Sequence, residues 1–127
     1  EGDCGRDGAP MQAAHLRDGA AAEALAARHL ERHGFTIIAR NVRCRGGEVD
    51  LIADDGRSLV FAEVRLRKNG RFGGAAASIT TAKRRRLVLA AQHYLATVGT
   101  PDVDCRFDCV LIEGAQIEWI KNAFLAD

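Results

Sequence analysis

No stretch of these 127 residues stays apolar for the roughly 20 positions that a membrane-crossing helix needs. The first residues join no basic flank to an apolar run, so no export signal is visible and a cytoplasmic protein is expected. The four cysteines, Cys4, Cys44, Cys105 and Cys109, contain no Cys-x-x-Cys pair. That spacing speaks against a zinc site, and without export it speaks against disulfides too; most of these thiols are expected to be small core hydrophobes. Internal repeats, low-complexity blocks and interdomain linkers are also missing. What is present, 47% hydrophobic and 28% charged residues, suits one domain with one core, neither disordered nor membranous.

The net charge of +1 hides an asymmetry. Between Arg40 and Arg86 twelve Lys or Arg face five Asp or Glu, a surplus of +7, while the remainder carries six against twelve, or −6. A positive surplus confined to the middle of the chain is the electrostatic footprint of a polyanion partner, although any single arginine there also reads as solvated surface.

That middle contains the stretch around which the chain is organised. Gly47-Glu48-Val49-Asp50-Leu51-Ile52-Ala53 and Leu59-Val60-Phe61-Ala62-Glu63-Val64-Arg65-Leu66-Arg67 are apolar or alternating, and Asp54-Asp55-Gly56 between them is turn chemistry. Two neighbouring strands are predicted. Residues two apart share a strand face, so Glu48 and Asp50 project together, as do Phe61, Glu63, Arg65 and Arg67. Carboxylates and a guanidinium can therefore converge. Mg²⁺, a hard cation, is usually held by one or two carboxylates with waters and substrate oxygens completing its octahedron, and Asp50 and Glu63 could supply them. By itself an Asp, a gap of twelve residues and Glu-x-Arg fits a cross-strand ion pair on a solvated face equally well.

Around this centre the chain reads as α-β-β-β-α-β-β, a mixed sheet flanked by helices. Residues 1–14 are Gly-rich and polar and are expected to form a flexible lead-in to a single domain over 15–127; Met11 is a candidate start. An Ala-rich helix is predicted from Asp18 to His33, ended by Gly34, with Leu16, Ala20, Ala27 and Leu30 in one stripe and Glu23 in its middle. A core-facing carboxylate is costly unless it is paired or bound to a cation. Phe35 to Val42 reads as the first strand, followed by Arg43 and Arg45 before Gly46-Gly47, where glycine permits close backbone approach and arginines could meet phosphates. Lys68 to Ala77 is a basic loop with Arg71. Ser78 or Thr80 caps a second helix to Val98, with Leu87, Ala91, Tyr94, Leu95 and Val98 on its apolar side and Gly99 and Pro101 beyond it. Lys83-Arg84-Arg85-Arg86 crowds its first turns, where the macrodipole disfavours cations unless an anion lies nearby. Cys105 to Ile112 is a fourth strand, Gln116 to Ile120 an edge strand, and Lys121 to Ala126 a tail. Arg106 and Asp108 share a face, either as an outer support of the site or as an ordinary ion pair.

Several ordered blocks make a more specific pattern. They are Gly19-x-x-Ala22-Glu23-x-x-Ala26, Gly47-Glu48-Val49-Asp50-Leu51-Ile52, Val60-Phe61-Ala62-Glu63-Val64-Arg65-x-Arg67, Phe72-Gly73-Gly74, Lys83, Arg106-Phe107-Asp108 and Ile117-Glu118-Trp119-Ile120-Lys121-x-Ala123-Phe124. In these the chain resembles the YraN-like family of small bacterial endonuclease-like proteins, over nearly everything after Arg17. The resemblance implies an α/β, restriction-endonuclease-like fold, with a central mixed β-sheet of about five strands flanked by α-helices, related to Holliday-junction resolvases. It also implies a site role for Glu23, since resolvases carry a helical Glu near the metal, and it accepts Arg65 where the general nuclease pattern has Lys.

The resulting expectation is a Mg²⁺- or Mn²⁺-dependent endonuclease hydrolysing DNA phosphodiester bonds, on branched or damaged DNA. Asp50 and Glu63 would hold the metal, and Arg65, Glu23 and Glu48 would complete the catalytic set. Arg43, Arg45, Arg67, Lys68, Arg71, Lys83, Arg84, Arg85 and Arg86 would grip the nucleic acid. Guanidinium stays charged and offers a planar fork to two phosphate oxygens, so Arg65 would stabilise the transition state and not act as a base. The expected partners are DNA and a second copy of the chain, with no membrane. The alternative is a non-catalytic nucleic-acid-binding module of nuclease ancestry, but a pure binder gains nothing from carboxylates that face phosphates.

Overall fold

A computed structural model describes residues 10–66, 79–99, 103–114 and 116–124, with side chains from Ala20 onward. In chain order the elements are α1 (Pro10–Arg32), β1 (Thr36–Cys44), β2 (Gly47–Asp54), β3 (Ser58–Leu66), α2 (Thr81–Val98), β4 (Asp104–Glu113) and β5 (Gln116–Phe124). The strands form one sheet in the order β1-β2-β3-β4-β5.

Local chemistry explains each joint. Arg45-Gly46 makes a tight turn between the paired Cys44 and Gly47, with Gly46 at φ 81. At the next turn the Asp54 carboxylate accepts the Gly56 N–H at 2.8 Å, and the Asp55 carboxylate accepts the N–H groups of Arg57 and Ser58 at 2.8 and 2.7 Å. Both turns join antiparallel neighbours. β3 and β4 instead pair in parallel, which requires a long crossover, and α2 lies in it. The Thr80 hydroxyl caps α2 by accepting the Lys83 N–H at 3.2 Å, and Gly99 closes it in the left-handed conformation at φ 77.

The two helices cover opposite faces of the sheet. Ala22, Ala26, Ala27 and Leu30 of α1 pack on Leu51, Ala62, Val110 and Ile112. Leu87, Ala90 and Ala91 of α2 pack on Ile52, Phe61, Phe107, Cys109 and Leu111. Phe61, Ile52 and Leu51 are fully buried, so the middle strands carry hydrophobic faces on both sides and anchor everything attached to their ends.

Several expectations change in the structure. α1 begins at Pro10, ahead of the Asp18 start expected for this helix and with Gly19 inside it, and proline suits a first helical turn. Its stripe is rotated: Ala20 is exposed, Ala22 and Ala26 are buried, and Glu23 lies at the edge of the contact instead of its centre. β5 continues through Lys121 to Phe124, where a tail was expected. Asn122, at φ 54, accommodates a register shift and brings its N–H to Asp108 at 3.0 Å. Of the described cysteines Cys109 alone is fully buried; Cys44 is half-buried and packs against the same core, and Cys105 is exposed, so the core-hydrophobe expectation fails only at Cys105.

Asp108 resolves the ambiguity about Arg106. Fully buried, it accepts bonds from Arg106 Nε and Nη2 at 3.0 Å each, from Trp119 Nε1 at 2.8 Å and from the Asn122 backbone. Arg106 also reaches Asp55 at 3.6 Å, so the network ties β4 to β5 and to the β2–β3 turn. It is an ordinary structural ion pair with complete hydrogen bonding.

Gly47 brings the start of β2 against the helix backbone. A Cβ there would lie 2.7 Å from Arg86 O and 2.8 Å from Ala90 N, contacts that no side chain can make without moving α2. Gly47→Ala should therefore lower the urea midpoint at unchanged m, by a stability loss of about 2 kcal/mol. A parental midpoint for this variant would contradict the packing described.

Candidate active site

The β2–β3 ladder runs from the pair Asp54 and Leu59 to the pair Leu51 and Ala62. One residue further, the Asp50 carboxylate accepts the Val64 N–H at 2.8 Å. A side chain thus takes the amide that a neighbouring strand's carbonyl would otherwise bind, and the two central strands part. Strict alternation also fails here, because Val49 and Ile52 join the core beneath α2 while Leu51 joins that beneath α1. The gap is an open cleft of about 460 Å³ lined by Glu48, Asp50, Glu63, Val64, Lys83 and Arg86.

Negative charge is concentrated in and beside this cleft. Burial pushes the Asp50 carboxyl up to about 7; the Val64 N–H pulls it down, and the charges of Glu63, Glu23 and Glu48 push it further up. Glu23 approaches from α1, and its own carboxyl is raised, mainly by burial. It does not line the cleft, but Asn41, at φ 51 within β1, donates to its Oε1 at 3.0 Å and fixes its orientation.

Cations answer from two sides. Lys83 Nζ lies 3.6 Å from Glu63 Oε2, Arg65 Nη1 lies 3.8 Å from the same oxygen, and Arg86 Nη2 lies 3.1 Å from Glu48 Oε1. The run Lys83 to Arg86 therefore divides by helix geometry. Lys83 and Arg86, three apart, turn into the cleft; Arg84 lies over the Phe124 ring at 5.5 Å, and Arg85 is exposed. Arg43 is exposed on β1 opposite Glu48, and Arg45 is exposed in the tight turn. Arg67, Lys68 and Arg71 lie outside the described residues.

Sequence reasoning missed three of these contacts. Nothing in the sequence marks Asn41 as the partner of Glu23. The pairing of Lys83 with Glu63 and of Arg86 with Glu48 had only an indirect signal, the cationic first turns of α2.

Among the described residues no group of three or more His, Cys, Asp or Glu side chains is arranged to hold a metal ion. The pair Asp50 and Glu63 belongs to the sparser class that suits Mg²⁺, one or two carboxylates beside open space. Burial, with the added repulsion of Glu63, Glu23 and Glu48, holds Asp50 near 7, and a cation between these groups would offset both. The residues therefore fit a divalent ion. Cys109, the register partner of Glu63 on β4 and buried in the core, has its thiol pushed up to about 12 by burial and offers no thiolate.

The architecture is the restriction-endonuclease-like fold. A structure of Archaeoglobus fulgidus Hjc, described as a Holliday junction resolvase from an archaeal hyperthermophile, matches 82% of this chain and 72% of its own with TM-score 0.52 at 17% identity, a likeness of fold. Residues 22–112 match the model of the uncharacterised protein family UPF0102, and the chain belongs to that family. A UPF0102 protein of Dechloromonas aromatica is 66% identical over 109 residues, 86% of this chain and 89% of its own length. One from Saccharophagus degradans is 51% identical over 113 residues, 88% and 96% of the two lengths.

The raised Asp50 carboxyl has a consequence for stability. The unfolded chain releases this proton near 3.8 and the folded protein near 7, so the folded state binds more protons between these values and the metal-free protein loses stability as pH rises through the window. Asp50→Asn keeps an acceptor for Val64 and removes the charge. It should match the parent near pH 4 and exceed it at pH 8 by on the order of 2 kcal/mol in urea unfolding. Identical pH dependence in the two proteins would contradict the raised, buried Asp50 carboxyl.

Proposed function

We propose that this protein is a divalent-metal-dependent endonuclease that hydrolyses DNA phosphodiester bonds, acting in the cytoplasm on branched or damaged DNA and as a homodimer. The observation that carries the reading is the meeting of Asp50 and Glu63 at the parted end of β2 and β3, in a cleft rimmed by cations. Carboxylates placed where a phosphate must enter weaken binding unless a metal ion intervenes, so their presence favours hydrolysis over simple gripping.

Asp50 and Glu63 would hold Mg²⁺ or Mn²⁺, which when bound supplies a Lewis acid and a water of lowered pKa. Every other contribution comes from the chain. The Val64 N–H fixes one Asp50 oxygen and leaves the other to face the cleft. Arg65 and Lys83 hold Glu63 from two directions, and Arg86 steadies Glu48. Lys83 and Arg86, which line the cleft, lie where negative charge accumulates on the phosphoryl oxygens during in-line attack. Glu48, which lines the cleft, is the carboxylate available to accept a proton from the attacking water, and Glu23, oriented by Asn41 beside the cleft, would act on it only through its charge. Arg43, Arg45 and Arg85 extend the positive rim along the path of the DNA backbone. The name of the Archaeoglobus protein supports a branched substrate.

The test is incubation of purified protein with supercoiled, linear and four-way-junction DNA in Mg²⁺, in Mn²⁺ and in chelator. Cleavage that needs the metal and falls at least about 100-fold in Asp50→Ala, with DNA binding unchanged or tighter, is the expected result. Undiminished cleavage by that variant overturns the site. Tight binding without cleavage in either metal leaves a non-catalytic DNA-binding module.

A further inference from the structure

Of the cations around the cleft, Lys83 stands in the position best suited to touch a substrate. Its ammonium lines the cleft with Asp50 and Glu63 and lies 3.6 Å from Glu63 Oε2. Arg65, the cation of the strand motif, reaches that same oxygen at 3.8 Å from outside the lining. The Lys83 side chain remains 45% exposed, against 28% for Arg65 and 15% for Glu63, so it faces the approach from solvent while the other two lie deeper. Its backbone is fixed as well, because the Lys83 N–H is the amide that the Thr80 hydroxyl caps at 3.2 Å. The side chain therefore starts from the first turn of α2, where unpaired N–H groups add their own positive potential.

An ammonium has three donors in tetrahedral array, so one can stay on Glu63 while another bonds a non-bridging phosphate oxygen. A planar guanidinium already turned towards Glu63 is less free to do both. Resting on the nuclease reading above, we propose that Lys83 is a catalytic residue of this cleft, its ammonium joining Glu63 to the scissile phosphate, and that Arg65 acts through Glu63 as a positioning residue. The bond changes are those of hydrolysis: a water oxygen forms the new P–O bond, the bond to the leaving ester oxygen breaks, and the water's proton leaves to a carboxylate or solvent while the ester oxygen regains one. Lys83 keeps its proton throughout and offsets charge on the phosphoryl oxygens.

The experiment compares single-turnover cleavage and DNA affinity for Lys83→Ala, Lys83→Arg and Arg85→Ala, with affinity measured in Ca²⁺ to prevent turnover. Lys83→Ala is expected to cut about 100-fold more slowly while its Kd rises less than about fivefold, and added methylammonium should restore part of the rate. Lys83→Arg should recover affinity fully and rate in part. Arg85→Ala, which alters an exposed rim cation of the same helix, should show the opposite split, a larger loss of affinity than of bound-state rate. A parent that cuts and a Lys83→Ala that cuts as fast once DNA is bound overturns the assignment of Lys83 and spares the nuclease reading. A rate loss that methylammonium does not relieve makes Lys83 a support for Glu63 and also overturns it. A parent that cuts no DNA in any metal overturns both.

Discussion

The Asp50 carboxylate on the Val64 amide, at 2.8 Å, is the contact on which the rest of the site depends. It ends the ladder between the two central strands, opens the cleft and places a second carboxylate, Glu63, on the facing edge. A buried strand end is an expensive place for negative charge, and the cost appears in the protein as a carboxyl held near 7. The sheet can carry that cost because its hydrophobic faces, covered by α1 and α2, hold β2 and β3 in place up to the last paired residues.

A second buried carboxylate shows how the fold treats charge that has only a structural task. Asp108 has donors from Arg106, Trp119 and Asn122 and joins three parts of the sheet. Asp50 has the Val64 N–H and three carboxylates within electrostatic reach. One group is compensated by an arginine and by the Trp119 and Asn122 donors, whereas among the described residues no ion pair to the other is seen. The contrast between them, within one sheet, marks Asp50 as the group with a perturbed carboxyl at an open cleft, which is what the functional proposal rests on.

The order of elements, the cap at Thr80, the stop at Gly99 and the turn at Asp54 to Gly56 were legible because each rests on local chemistry within a few residues. Asp50 and Glu63 were legible as a pair because strand periodicity brings them to one edge, although the alternation that suggested it breaks at Val49 to Ile52. Less was legible where tertiary packing decides. The rotation of α1, which exposes Ala20 and moves Glu23 to the border, follows from how the helix lies on Leu51 and Ala62. The approach of Lys83 to Glu63 follows from the fit of α2 against Gly47, a contact between backbones that leaves no trace in periodicity. The continuation of β5 to Phe124 depends on Asn122 in a left-handed conformation that sequence pattern does not announce.

We propose that the Asp50 carboxyl, held near 7 mainly by burial and further by its neighbouring carboxylates, gives up its proton to a divalent ion bound beside it. Calorimetric titration with Mn²⁺ at pH 6, repeated in buffers of different ionisation enthalpy, measures it directly, because an ion that displaces a proton releases it to the buffer. With a carboxyl near 7 the account predicts close to one proton released per ion at pH 6 and almost none at pH 9. Mn²⁺ binding with no proton release at pH 6, or no binding at either pH, would contradict it.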